Sequence, residues 1–316
     1  MAYQETTGGS PEDVINKIGA FAASAGWTIA TNSLNGSERV LVLRKSGDYV
    51  RLWCNATDIW ITGHTGYDGS LPYNQQEGYA GRYAHCNVGA GPYTAVFLFG
   101  GNNPAEHIHV VIELAGGVFR HISFGQAEKL GDWTGGTYFD ATYWHTAPNQ
   151  MYQWTQWSNP LFDTRGGQTT NTGAMRCDAP QDGRESPSWA VFDGDNAFRV
   201  MTGLYGSQRS DNDGLGYLTT QVYDRNDPPF SGQITLGTIR ADVIRSGGFY
   251  SPVGTFPNVR YLNMARFAPG QEITVGSDVW KVFPMCRKGQ GSSSSSSPLY
   301  GQPYSDNHAY AFKKED

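Results

Sequence analysis

Residues 107–140, HIHVVIELAGGVFRHISFGQAEKLGDWTGGTYFD, constrain this chain most, because they write out a hairpin followed by a glycine- and tryptophan-rich return. Residues 107–114 are a near-continuous run of β-branched and apolar side chains, and residues 118–124 alternate back. Between them, Ala115-Gly116-Gly117 supplies the backbone freedom that a reversal needs. Gly116-Gly117, and again Gly135-Gly136, suit positions of positive φ, which glycine reaches at almost no steric cost. A tight antiparallel pair follows, and a packed all-β protein around it.

Composition points the same way. Among 316 residues there are 40 Gly and 16 Pro against 16% charged side chains, so the chain reverses often and its polar surface is mostly uncharged. An aromatic share of 13% supplies a large buried area per side chain. The net charge of −6 argues against a protein that grips duplex DNA, where cations must displace counterions. No signal-peptide pattern and no long apolar run is legible, which leads us to expect a soluble protein made in a cytoplasm, without membrane insertion. Cys54, Cys86, Cys177 and Cys286 lie far apart, and free, mostly buried thiols are expected.

Residues 1–9 are short, polar and glycine-containing, and read as a mobile tail. One good helix follows. Ser10 caps it, Pro11 suits its first position, Glu12 and Asp13 favour its positive end, and Val14, Ile18, Phe21 and Ala25 form an apolar stripe that Gly26 ends. Short strands are then predicted at 27–30, 39–44, 49–54, 59–62, 94–99, 107–114, 118–124 and 138–144. In the second half they fall at 189–192, 197–202, 232–236 with Ile239, 259–267 and 272–283, and 300–313 could tuck back as a final strand. Four segments share one grammar, VLRKSGDYVRLW, VIELAGGVFRHI, AVFDGDNAFRVM and ITVGSDVWKVF: strand, a turn with Gly, Asp or Asn, then a strand with a basic residue near an aromatic one. Duplication is one reading and limited turn chemistry the other.

The expected fold is mainly β, an antiparallel sandwich or barrel-like architecture built from hairpins, with one N-terminal amphipathic α-helix. The strand signal fades over 147–187. That places a helix plus β domain at 1–146, a loose aromatic connection at 147–187, and a second β domain at 188–316 with a flexible Ser-rich segment at 289–298; one large β domain is the alternative.

No catalytic machinery is legible, with neither a Gly-x-Ser-x-Gly elbow nor a Walker loop, and no cofactor is expected. His107 and His109 share a strand face and His121 sits across the hairpin, so three imidazoles could hold a divalent metal. A packed or intersubunit surface is the stronger reading of that face. Asp193, Asp195, Asp211 and Asp213 could offer calcium ligands, but turns explain them more simply. Asp132 and Asp140 could be pressed into a glycosidase pair. The aromatic segments hold Tyr67, Tyr73, Tyr79 and Tyr83, then Tyr143, Trp144, Trp154 and Trp157. They could stack on sugars, and a subunit interface is the favoured use.

The helix ending in Ser24-Ala25-Gly26-Trp27-Thr28, the blocks Phe119-Arg120-His121-Ile122-Ser123-Phe124-Gly125 and Gly131-Asp132-Trp133-Thr134-Gly135-Gly136, Trp189-Ala190-Val191-Phe192, and the ending Asp278-Val279-Trp280-Lys281-Val282-Phe283-Pro284 with Ala309-Tyr310-Ala311-Phe312 occur in that order. In this order of blocks the chain resembles structural proteins of tailed bacteriophages. The resemblance implies a virion component, made in the infected bacterium's cytoplasm and assembled as a ring or attached multimer at the tail, neck or collar, or head–tail connector. Its implied partners are copies of itself and other virion proteins. A glycan-binding adhesin, recognising a host surface glycan, and a capsid decoration protein are the alternatives. No catalytic residues come with the resemblance.

Overall fold

The computed structural model describes residues 2–36, 38–77, 84–131, 138–142, 173–175, 191–192, 198–199, 236–244, 250–284, 287–288 and 308–314. The N-terminal residues form a strand, β1 (Ala2–Gly8), which corrects the expectation of a mobile tail. Its polar sequence is held by residues from the far end of the chain. Lys281 Nζ donates to Tyr3 Oη and to Glu5 Oε2, each at 2.8 Å, and lies 4.8 Å from the Phe97 ring centre. Helix α1 (Pro11–Ser24) follows as its capping signals require, with Ser10 Oγ accepting from the Asp13 backbone N–H and Gly26 at φ +82° past its end. It buries Ile15 and Ala22 as well as Val14, Ile18 and Phe21.

The chain then runs as an antiparallel meander: β2 (Thr28–Asn35), β3 (Glu38–Lys45), β4 (Asp48–Cys54), β5 (Asp58–His64) and, after a short 3-10 turn at Tyr73–Gln75, β6 (Ala84–Asn87). A second sheet is laid down by β7 (Tyr93–Gly101), β8 (His107–Leu114) and β9 (Val118–Gln126). The two-residue β10 (Glu128–Lys129) leaves for a third sheet, and β11 (Tyr138–Thr142) and β12 (Gly173–Met175) return to the second, whose order is β1-β7-β8-β9-β11-β12. A separate hairpin joins β13 (Val191–Phe192) and β14 (Phe198–Arg199). The third sheet collects β15 (Gly237–Ile244), β16 (Tyr250–Asn263), β17 (Glu272–Val275), β18 (Asp278–Pro284) and β19 (His308–Lys314), ordered β10-β16-β19-β18-β17 with β15 on β16. The sheets stay open, so the architecture is a layered sandwich and not a closed barrel.

The second sheet is the middle layer. On one face Val96, Leu98, Ile108, Val110, Ile112, Ile122 and Phe124 join the helix and Leu41, Leu43, Leu52 and Ile61 of the first sheet. On the other, Phe97, Phe99, Val111, Phe119 and Phe139 meet Phe256, Val259, Tyr261, Phe283, Tyr310 and Phe312 of the third. A period of two sends alternate residues to opposite faces, and here both faces are dry. Each fully buried side chain of this size contributes about 1.5–3 kcal/mol, against at most about 1 kcal/mol for a surface ion pair such as Lys17–Asp13. Apolar burial therefore sets the layering. Cys54 and Cys86 are buried thiols, as expected; Cys177 and Cys286 lie outside the described residues.

The first two sheets approach closely at Gly63 of β5, where a Cβ would stand 2.2 Å from Tyr138 Cε1 of β11. Gly63→Ala must push the Tyr138 ring from its place, and we expect a loss of about 1–3 kcal/mol in urea unfolding. An unchanged midpoint would contradict this packing.

Candidate functional site

The three histidines do converge on one face of the β8–β9 hairpin, and that face is the seam with the third sheet. His107, His109 and His121 are 2%, 0% and 0% exposed. His109 Nε2 lies 2.8 Å from the Pro257 carbonyl oxygen and its Nδ1 lies 2.8 Å from Ser123 Oγ. Since a carbonyl only accepts, Nε2 carries the proton and Nδ1 accepts from the serine hydroxyl. His107 donates from Nδ1 to the Ala105 carbonyl at 2.7 Å and receives Asn258 Nδ2 at 3.3 Å on Nε2. His121 donates from Nε2 to the Pro284 carbonyl at 3.0 Å.

These imidazoles act as struts. The β15–β16 register jumps between Thr238 opposite Arg260 and Arg240 opposite Thr255. Asn258 sits in that interval at φ +54°, and its amide donates to the Asn103 carbonyl at 2.8 Å. At this kink the Pro257 carbonyl takes its hydrogen from His109, so a buried acceptor is satisfied where the ladder is irregular. The rings also pack as aromatics, His109 and His121 lying 5.2 and 5.8 Å from Phe312. Phenylalanine would fill the same space and leave the carbonyls bare.

Both ring nitrogens of His109 are engaged by protein atoms, so this ring presents no lone pair to a metal. Among the described residues no group of three or more His, Cys, Asp or Glu is placed to hold an ion. Burial drives the pKa of His107 down to about 4 and that of His109 well below the ordinary value, with the neighbouring imidazoles adding to the second shift. Asp140 faces the opposite core and accepts from Tyr138 Oη at 3.0 Å. Asp132, Asp193, Asp195, Asp211 and Asp213 lie outside the described residues, as do Tyr79, Tyr83, Tyr143, Trp144, Trp154 and Trp157.

Tyr67 and Tyr73 belong to the loop that covers the outer face of the first sheet. Tyr73 stacks on Trp53 at 5.1 Å, Trp53 stacks on Trp60 at 5.9 Å, and Arg51 lies over both Trp53 and Tyr73. Tyr67 lies 6.2 Å from Tyr49 and shares a 2.8 Å hydrogen bond with Thr31 Oγ1. Their stacking partners are thus residues of the same chain.

The opposite kind of surface lies beside them. β2 pairs only with β3 among the described residues and is exposed along nearly its whole length. Ile29 and Leu34 are 40% and 52% exposed and stand opposite Leu43 and Arg39, which puts both on the helix side of the sheet. TIATNSLN has no charge and no proline, the two commonest devices that blunt an edge.

The seam also rests on Ser123, Pro257, Asn258 and Pro284, none of which the sequence marks as a candidate site residue. Arg120, fully buried on the other face, donates from Nε to the Asn87 carbonyl at 3.1 Å and was also missed. An arginine and a serine inside a run as apolar as FRHISF were the available signal. Neither a family model nor a curated protein matches this sequence.

A histidine whose folded pKa is depressed contributes stability above its unfolded pKa of about 6.5 and loses it as pH falls through the folded value. For His107 this amounts to about 3 kcal/mol between pH 6.5 and 4. Chemical unfolding across that window should show the loss, and His107→Gln should flatten it. Identical acid limbs in the two proteins would contradict the neutral, buried assignment.

Proposed function

We propose that this chain is a structural virion protein of a tailed bacteriophage, made in the host cytoplasm and assembled through protein–protein contacts in the tail, neck or head–tail connector region. The order of sequence blocks supplies the class. The observation that carries the assembly role is β2, an uncharged, proline-free edge strand with two exposed large apolar side chains. Such an edge presents unpaired backbone groups to another chain and is ordinarily guarded in a protein that stays alone.

The interior supports the same reading. The seam histidines are buried hydrogen-bonding struts, and each is tied to a backbone carbonyl. Tyr67 and Tyr73 stack on the chain's own aromatics, which takes these two rings from a glycan platform and from an aromatic subunit interface alike and leaves the assembly reading to rest on β2. A capsid decoration protein would use the same kind of edge and differs only in its place on the particle.

Mass spectrometry of purified particles should find the chain at a fixed copy number. Leu34→Lys should be incorporated at least about tenfold less, while its unfolding free energy stays within about 0.5 kcal/mol of the parent, as for an exposed site. Particles that lack the parent chain would overturn the proposal, and full incorporation of Leu34→Lys would remove β2 from it.

A further inference from the structure

We infer that β2 pairs with β2 of a second copy of this chain, antiparallel about a two-fold axis at Asn32, so that the five-stranded first sheets of the two copies run on as one. The inference rests on the reading of the protein as a self-assembling subunit and names the partner at that edge and its register.

The pairing of β2 with β3 fixes which way each residue of the edge faces. Ile29, Asn32 and Leu34 stand opposite Leu43, Leu41 and Arg39, and Leu41 and Leu43 pack into the core beneath the helix. Thr31 and Ser33 stand opposite Val42 and Val40, which belong to the aromatic cluster on the outer face. Ala30 is the extra residue of a bulge, and it is this bulge that lets Ile29 and Leu34 share a face.

An antiparallel strand that meets its own copy must bring residues of the same face together in pairs. With Asn32 on the axis, Asn32 meets Asn32, Thr31 meets Ser33, and across the bulge Leu34 meets Ile29. The two large exposed side chains of each copy then cover those of the other, amide lies against amide and hydroxyl against hydroxyl. Moving the axis to Ser33 sets Leu34 against Asn32, and moving it to Thr31 sets Ile29 against Asn32. Each alternative leaves an apolar side chain on an amide.

β2 carries no charge to repel its copy. The nearest charges along its rows are Glu38, opposite Asn35, and Arg44, opposite Thr28, both on the outer face. In the paired sheet Asn35 of one copy meets Thr28 of the other, so each such row has Glu38 on one side of the seam and Arg44 on the other. They stand three strand spacings apart, about 14 Å, and favour the arrangement weakly.

The helix leaves room for the second copy. Asn32 Nδ2 donates to Asn16 Oδ1 at 3.4 Å, and a Cβ on Gly19 would lie 3.9 Å from the same nitrogen, so this flank of α1 stands over β2. Ala20 and Ala23, four and seven residues on from Asn16 and therefore on its flank, are small and exposed. In the pair, Ile29 and Leu34 of both copies fill the trough between the two helices, with these alanines as its walls.

Asn32→Cys tests the axis, because only a residue on it meets itself. Opposed Cα atoms in an antiparallel pair stand about 4.5–5.5 Å apart, within the disulfide range of about 4.4–6.8 Å. Oxidation of concentrated Asn32→Cys should give a linked dimer on a non-reducing gel that the parent, with its natural cysteines, does not give. Asn35→Cys, which meets Thr28, should give at least about tenfold less. Asn32→Lys and Asn32→Glu set like charges opposite each other, so each should raise the parent's dimer dissociation constant at least about tenfold in sedimentation equilibrium. Mixed in equal amounts, the two should dimerise again. Asn32 is exposed, so all these variants should keep the parent's circular dichroism. A parent monomeric even at millimolar concentration, Asn35→Cys linking as readily as Asn32→Cys, or a charge mixture that stays monomeric would overturn the inference. All of these are read on the purified chain. A monomeric chain found in virions would leave the proposed function standing, and a two-fold dimer absent from virions would leave only this inference.

Discussion

A β-sheet buried on both faces must satisfy from within every polar group it carries, and the β8–β9 hairpin lives under that condition, with even the buried Arg120 guanidinium donating to the Asn87 and Phe119 carbonyls. Every residue from Val118 to Gly125 is buried. Ile108, Val110, Ile112, Ile122 and Phe124 of the pair turn toward the helix and first sheet, while the histidines, Val111 and Phe119 turn toward the third. Gly125, at φ +139° and with a Cβ position 2.2 Å from the Glu106 carbonyl oxygen, marks how tightly β9 lies against the start of β8. The remaining layers are arranged to supply these two coverings.

A dry interface must still satisfy its polar backbone, and the seam does so with imidazoles. A neutral histidine is an aromatic of useful size that carries one donor and one acceptor, so His109 can fill space beside Phe312 while bonding to both Pro257 and Ser123. Net hydrogen bonds of this kind contribute about 1 kcal/mol each, but an orphaned buried carbonyl costs about 1–3 kcal/mol. The asymmetry explains why chemically versatile side chains are spent on structure here. In the proposed assembly the contact with other chains falls to the edge at β2, which carries no charge and no proline.

Local chemistry made much of this legible. The helix is written by Ser10-Pro11 and its apolar stripe, and three of the four segments with the shared turn grammar are described as hairpins, because positive-φ positions such as Gly47, Gly116, Gly117 and Gly276 leave a compositional mark; in the fourth, Val191–Phe192 pairs with Phe198–Arg199 and the turn lies outside the described residues. Long-range facts left none. Tyr3 and Glu5 look like a polar tail until Lys281 arrives from the third sheet. The sequence predicts a strand at 259–267, whereas β16 spans Tyr250–Asn263 and accommodates Pro257 and Asn258 as a kink inside the strand. The shared face of the three histidines was readable from period-two spacing; their carbonyl partners, on strands far along the chain, were not.

The central claim is that the β8–β9 hairpin, dry on both sides, is the last part of the molecule to open. Native-state hydrogen exchange followed residue by residue tests it most directly. Amides of Val110, Val111, Ile122 and Ser123 should exchange only through global unfolding, with the full unfolding free energy, while those of β2 exchange through small local openings. Exchange of the hairpin amides at a lower free energy than the β3–β4 pair would contradict the account.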